Sequence, residues 1–175
     1  MPKDKKSLSS KFLYPDLAYD SIHDIELNSL FVGGIKGLIV DIDNTLIAPG
    51  MKKPDERMNK WIETARDAGF DICLLSNASR RRVARLASGF GIYAIARAGK
   101  PSRAGFIKAM RLLKLAPPQV CVIGDQIFTD VLGAKKMGIK AIYTKPITKR
   151  EEINVFFKRF AEYFIMKGYN KTIGA

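Results

Sequence analysis

"GLIVDIDNTLI", residues 37–47, joins an apolar, partly β-branched run to two carboxylates one residue apart, Asp41 and Asp43. An apolar run without polar alternation reads as a strand buried on both faces, the pattern of a parallel sheet covered by helices. Such a strand delivers its last residues to the carboxyl edge of the sheet, where open α/β sheets bind their ligands. Two acids at that edge ask for a chemical reason beyond turn formation.

Outward from this strand, apolar runs at 71–76, 92–95, 120–124 and 139–143 alternate with segments of helical period at 55–68, 79–89, 102–115 and 129–137. That alternation predicts an α/β fold, a three-layer Rossmann-like parallel sheet of about five strands. No repeat or linker interrupts it, so residues 1–175 read as one domain. Residues 1–36 are expected to form a short helical or irregular lead-in packed on the sheet. Residues 151–175 are expected to be an amphipathic helix and tail. Ile153, Phe156, Phe157, Phe160, Phe164 and Met166 would lie mainly on one face and pack on the core rather than touch lipid.

The composition narrows the partners. Among 175 residues, 30 Lys+Arg stand against 17 Asp+Glu, a formal charge of +13. An anionic partner follows: nucleic acid, a membrane surface or a phosphorylated substrate. No nucleic-acid-binding motif accompanies the charge, and the oligomeric state is left open. Cys73 and Cys121 sit inside apolar runs and read as buried thiols, which excludes a disulfide scaffold. With no signal-peptide core and no stretch of about 18 apolar residues, the expected location is cytoplasmic, or peripheral on the inner face of a membrane.

Chemistry-bearing residues recur at the strand ends. The first strand ends on Asp41 and Asp43, the second on Ser76 and Asn77; "AGKP" after the third carries Lys100, and "GDQIFTD" after the fourth carries Asp125 and Asp130. Carboxylates converging in a partly dry crevice repel one another unless a cation joins them. Mg²⁺ is hard and prefers oxygen, so Asp41, Asp125 and a backbone carbonyl at Asp43 would suffice for a metal site shared with a phosphate. The only histidine, His23, lies in the lead-in segment, and no His or Cys cluster suits zinc.

The ordered set "DIDNT", "SN", "GKP" and "GDQIFTD" resembles the four motifs of the haloacid-dehalogenase superfamily, specifically its class III phosphatases. The resemblance implies a phosphomonoesterase working through an aspartyl-phosphate. Asp41 would be the nucleophile and Asp43 the acid, then the base. Thr45 would orient Asp43 or its loop, and Ser76 would donate to a phosphoryl oxygen. Lys100 would neutralise both the phosphate and Asp41. Asp125 would ligate Mg²⁺, with Asp130 behind Lys100 or a metal-bound water, and Asn77 at the substrate loop. A receiver-domain reading fails, because "IYAIARAGKPS" offers no acid after the third strand.

Relatives in this superfamily often insert a cap domain. Here 46–75 has room for about one helix, and 78–99 for one helix and one strand, so the fold is expected to be capless. An open site admits a phosphate carried on something large. From Ile72 to Gly124 there is no Asp or Glu, while ten Lys and Arg fall in that span, among them Arg80, Arg81, Arg82, Arg85 and Lys100. The lead-in "YPDLAYDSIHDI" together with the other motifs looks like the bacterial YqeG-type branch, itself similar to the phosphatidylglycerophosphate phosphatases. That likeness implies a lipid phosphate as substrate and peripheral contact with anionic membrane. The alternatives are a soluble phosphorylated metabolite as substrate, or a basic nucleic-acid- or ribosome-associated binding protein.

Overall fold

The computed structural model describes residues 12–148 and 153–173, with side chains of the last helix described for 160–170. Six parallel strands form one sheet: β1 (Leu17–Tyr19), β2 (Gly37–Val40), β3 (Asp71–Leu75), β4 (Tyr93–Ile95), β5 (Val120–Gly124) and β6 (Lys140–Thr144). Their spatial order is β1-β6-β5-β2-β3-β4. The helices are α1 (Leu27–Val32), α2 (Glu56–Asp67), α3 (Arg80–Ala87), α4 (Arg103–Leu113), α5 (Leu132–Lys135) and α6 (Ile153–Ile173).

The sixth strand corrects the expectation of about five. Within the lead-in, Leu17, Ala18 and Tyr19 pair with Ile142, Tyr143 and Thr144. Asp16 secures the edge: its carboxylate accepts from the Ala141 N–H at 2.7 Å, and its own N–H donates to the Ala141 carbonyl at 2.8 Å. Three residues with an alternating pattern were too short a signal to separate from irregular chain.

Each central strand is apolar throughout because each face meets helices. Leu38, Val40, Leu74 and Ile123 share one core with Met58, Trp61 and Ile62 of α2 and with Val83 and Leu86 of α3. Ile39, Cys73, Leu75 and Val122 turn the other way, onto Phe106, Ala109 and Met110 of α4. Side chains of period two thus divide between two layers of helix. Side-chain acceptors cap the helix starts: Asp55 accepts from the Met58 N–H at 2.8 Å, and Ser79 from the Arg82 N–H at 3.4 Å.

Two further expectations change. Residues 129–137 were expected as one helix; instead a wide turn over Ile127–Val131 leads into a single short turn of α5. In α6, Phe160 and Phe164 are exposed, at 63% and 55%. The helix docks through Met166, as expected, and with it through Glu162, Ile165 and Tyr169. These residues have an i, i+3, i+4, i+7 spacing, a face rotated away from the one the aromatics suggested. The side chains of Ile153, Phe156 and Phe157 lie outside the described residues.

Candidate active site

β2 lies at the centre of the sheet, and its neighbours β3 and β5 are reached by chain running in opposite directions from it. This is the point at which strand order reverses and a crevice opens. The β2–β5 ladder pairs Val40 with Ile123, and the Asp41 N–H extends it by donating to the Ile123 carbonyl at 2.9 Å. Asp41 and Asp125 therefore emerge side by side.

Lys100 Nζ donates to Asp41 Oδ1 and to Asp130 Oδ1, each at 2.7 Å. All three residues are buried, as is Asp125. Asn77 positions Lys100 through its backbone: the amide oxygen accepts from the Lys100 N–H at 2.8 Å, and Asn77 Nδ2 donates to the Lys100 carbonyl at 3.2 Å. Ser76 Oγ is buried and accepts from the Ala78 N–H at 3.1 Å, which leaves its own proton free to be donated. The Ala98 N–H donates to the Ser76 carbonyl at 3.0 Å, so the loops after β3 and β4 are stitched together.

Thr45 is placed differently from the expectation. Its Oγ1 donates to Asp125 Oδ1 at 3.0 Å, so it orients that carboxylate and not Asp43. Asp43 is half-buried, and Arg82 reaches it through Nε at 3.1 Å. Asp130 is held from behind by the Gln126 N–H and by Thr129 Oγ1, each at 3.2 Å from its Oδ2. Gly124 makes this approach feasible, since a Cβ there would sit 2.4 Å from Asp130 Cγ.

Three contributions are not legible in the sequence as site residues. Arg82 reads there only as part of a basic face. Thr129 depends on the wide turn at 127–131, which also aims the Gln126 N–H at Asp130. Asn44 takes a left-handed φ of 70° and binds the segment past β6 through both amide atoms, to Thr148 N–H at 2.9 Å and Thr148 carbonyl at 3.0 Å. Of these only Asn44 carried a local signal, because Asn tolerates the left-handed region better than most residues.

The electrostatics leave the cluster short of positive charge. Burial pushes the Asp41 carboxyl up to about 8, against the pull of Lys100 and with the help of Asp130 and Asp125. Burial also works against the Lys100 ammonium, but Asp130 and Asp41 outweigh it and hold its pKa above the ordinary value. One carboxylate oxygen each from Asp41, Asp125 and Asp130 lies within 4.8 Å of the others. With all three carboxyls ionised against one ammonium, the cluster carries two formal negative charges, which a dication balances. A buried, all-oxygen donor set fits Mg²⁺ and does not fit zinc. Asp43 offers its side chain to Arg82 rather than to this cluster.

Residues 49–138 match the model of the haloacid dehalogenase-like hydrolases, a stretch that holds Ser76, Lys100, Asp125 and Asp130 and begins just past Asp43. The probable phosphatase YqeG of Bacillus subtilis is 32% identical over 161 residues, 92% of this chain and 94% of that protein. The chain belongs to the haloacid dehalogenase-like hydrolases. As a haloacid dehalogenase-like enzyme of this kind it is a phosphoric monoester hydrolase. Phosphatidylglycerophosphate phosphatase 1, chloroplastic, of Chlamydomonas reinhardtii is 25% identical over 87% of this chain and 61% of its own length. The chain thus spans less than two thirds of that relative. The cobalt-bound deoxy-D-mannose-octulosonate 8-phosphate phosphatase of Haemophilus influenzae has the same fold. It superposes with a TM-score of 0.53 at 16% identity, covering 80% of this chain and 92% of that one. The sheet is likewise that of a haloacid dehalogenase-like hydrolase without a cap. Only α2 separates β2 from β3, and only α3 separates β3 from β4.

Proposed function

We propose that this hydrolase is a Mg²⁺-dependent phosphomonoesterase acting through an aspartyl-phosphate, with phosphatidylglycerophosphate as its substrate. The observation that carries the mechanism is the convergence of Asp41, Lys100, Asp125 and Asp130 from the segments after three separate strands, β2, β4 and β5. Asp41 and Asp125, with the backbone carbonyl at Asp43, would hold the metal, which when bound supplies a fixed positive charge beside the phosphate oxygens; Asp130, whose oxygens accept from Lys100, Thr129 and the Gln126 N–H, would stand behind Lys100.

Asp41 Oδ1 is occupied by Lys100, so its other carboxylate oxygen is the one to attack phosphorus. As that bond forms, the bond from phosphorus to the ester oxygen breaks, and a proton on Asp43 passes to the departing oxygen. Water then attacks phosphorus, gives a proton to Asp43 and releases Asp41 and phosphate. Lys100 and the Ser76 hydroxyl stabilise the phosphoryl oxygens through both steps.

The lipid substrate is supported by three observations that point the same way. The crevice has no inserted domain over it among the described residues, eight exposed cations lie between Ile72 and Gly124, and the relatives include a protein named for that activity. No helix among the described residues is long and apolar enough to cross a membrane, so contact with the bilayer would be peripheral.

The test is a panel of phosphate esters with Mg²⁺ and with EDTA. Phosphatidylglycerophosphate in mixed micelles should turn over faster than sugar and nucleotide phosphates, and EDTA should stop all of it. Equal or slower lipid turnover would shift the substrate to a soluble metabolite. No turnover of any ester, together with salt-sensitive RNA binding, would shift it to a binding protein.

A further inference from the structure

Arg82 lies in the first turn of α3, yet its side chain leaves the basic face of that helix and enters the crevice. Nε donates to Asp43 Oδ1 at 3.1 Å and, at 3.3 Å, to Oδ2. Nη2 makes a close contact with Oδ1, and Nη1 donates to the Met51 carbonyl at 2.6 Å. The side chains of Arg82 and Asp43 are 24% and 31% exposed, so the pair borders the open mouth and a substrate reaches it.

We infer that Arg82 is the positioning residue of the proton-transfer step, an inference that rests on the phosphatase reading above. Its two contacts on Oδ1 fix that oxygen, and the weaker contact leaves Oδ2 as the oxygen that gives and takes the proton. The fourth contact, on Met51, ties the same guanidinium to the loop that follows the β2 turn. Asp43, α3 and this loop therefore share one geometry. A planar fork with donors on two sides can do this; an ammonium, a compact point charge, holds one acceptor direction less well. Arg82 touches neither phosphorus nor the ester oxygen in this scheme, and acts through Asp43.

The consequence is dependence on the leaving group. When the departing oxygen is strongly basic it needs the proton, and misplacement of Asp43 is costly. When it is an activated phenolate it needs little help. In full-length protein with Mg²⁺, Arg82→Gln should lose at least about tenfold more kcat/KM on phenyl phosphate than on 2,4-dinitrophenyl phosphate. Arg82→Lys should show the same bias to a smaller degree, and it carries the test should Arg82→Gln not fold. Adding Asp43→Asn to Arg82→Gln should cost much less than the product of the single losses. An equal loss on both esters would assign Arg82 to phosphate binding and overturn the inference, as would unchanged kinetics. Asp41→Asn separates this from the underlying reading, because turnover surviving in that variant defeats the aspartyl-phosphate mechanism whatever Arg82 does.

Discussion

Thr45 donates its hydroxyl to Asp125 across the crevice between β2 and β5, and the orientation of a metal-binding carboxylate rests on partners of this kind. Thr45→Val keeps the shape and removes the donor. Apparent Mg²⁺ affinity, read from activity against Mg²⁺ concentration, should fall by about tenfold or more, with recovery of turnover at saturating Mg²⁺. An unchanged Mg²⁺ dependence would make Thr45 a turn residue only. Gly124 shows the opposite kind of dependence, on a missing atom: Asp130 leans over the space its Cβ would take. Asp41, Ser76 and Asp125 could be found in the sequence because each directly follows a strand, which sets its direction; Asp43, Lys100 and Asp130 lie in the loops those strands open into. Arg82 could not, since its entry into the crevice depends on how far α3 folds back.

Among the elements, β1 is the one that sequence patterning misses. It is three residues long, at the sheet edge, paired with β6 and secured at its start by Asp16 on the Ala141 backbone. Asp16→Ala removes the acceptor of the buried Ala141 N–H and the partner of Lys135, a loss of about 1–2 kcal/mol. The melting temperature should drop by a few degrees and amide exchange at 16–19 should accelerate. Turnover should be unaffected, because β6 and β5 stand between β1 and the Asp41 strand. Slowed turnover would mean that the lead-in segment supports the site. The strands β2 and β5 were the easiest to recognise, as burial on both faces leaves them apolar throughout. α6 was hard for the converse reason: apolar side chains occupy more than one of its faces, and only its contacts reveal which one docks.

For the whole molecule, whose charge is +13, the ten cations between Ile72 and Gly124 divide into two kinds. Lys100 and Arg82 serve carboxylates in the crevice, while Arg80, Arg81, Arg85, Arg97, Arg103, Lys108, Arg111 and Lys114 remain exposed. The first kind completes the site; the second offers an anionic surface or substrate a long-range attraction that salt weakens. Together with the uncapped sheet, this leaves the buried Asp41 carboxylate in a crevice that no inserted domain covers among the described residues. The proposed mechanism puts the phosphoryl group on Asp41, and acid-quench mass spectrometry of the enzyme during turnover of a phosphomonoester with Mg²⁺ reads this out. One phosphoryl group is expected on the peptide containing Asp41, with neither label nor turnover in Asp41→Asn. Full turnover in Asp41→Asn, or a phosphoryl group on another peptide, would contradict it.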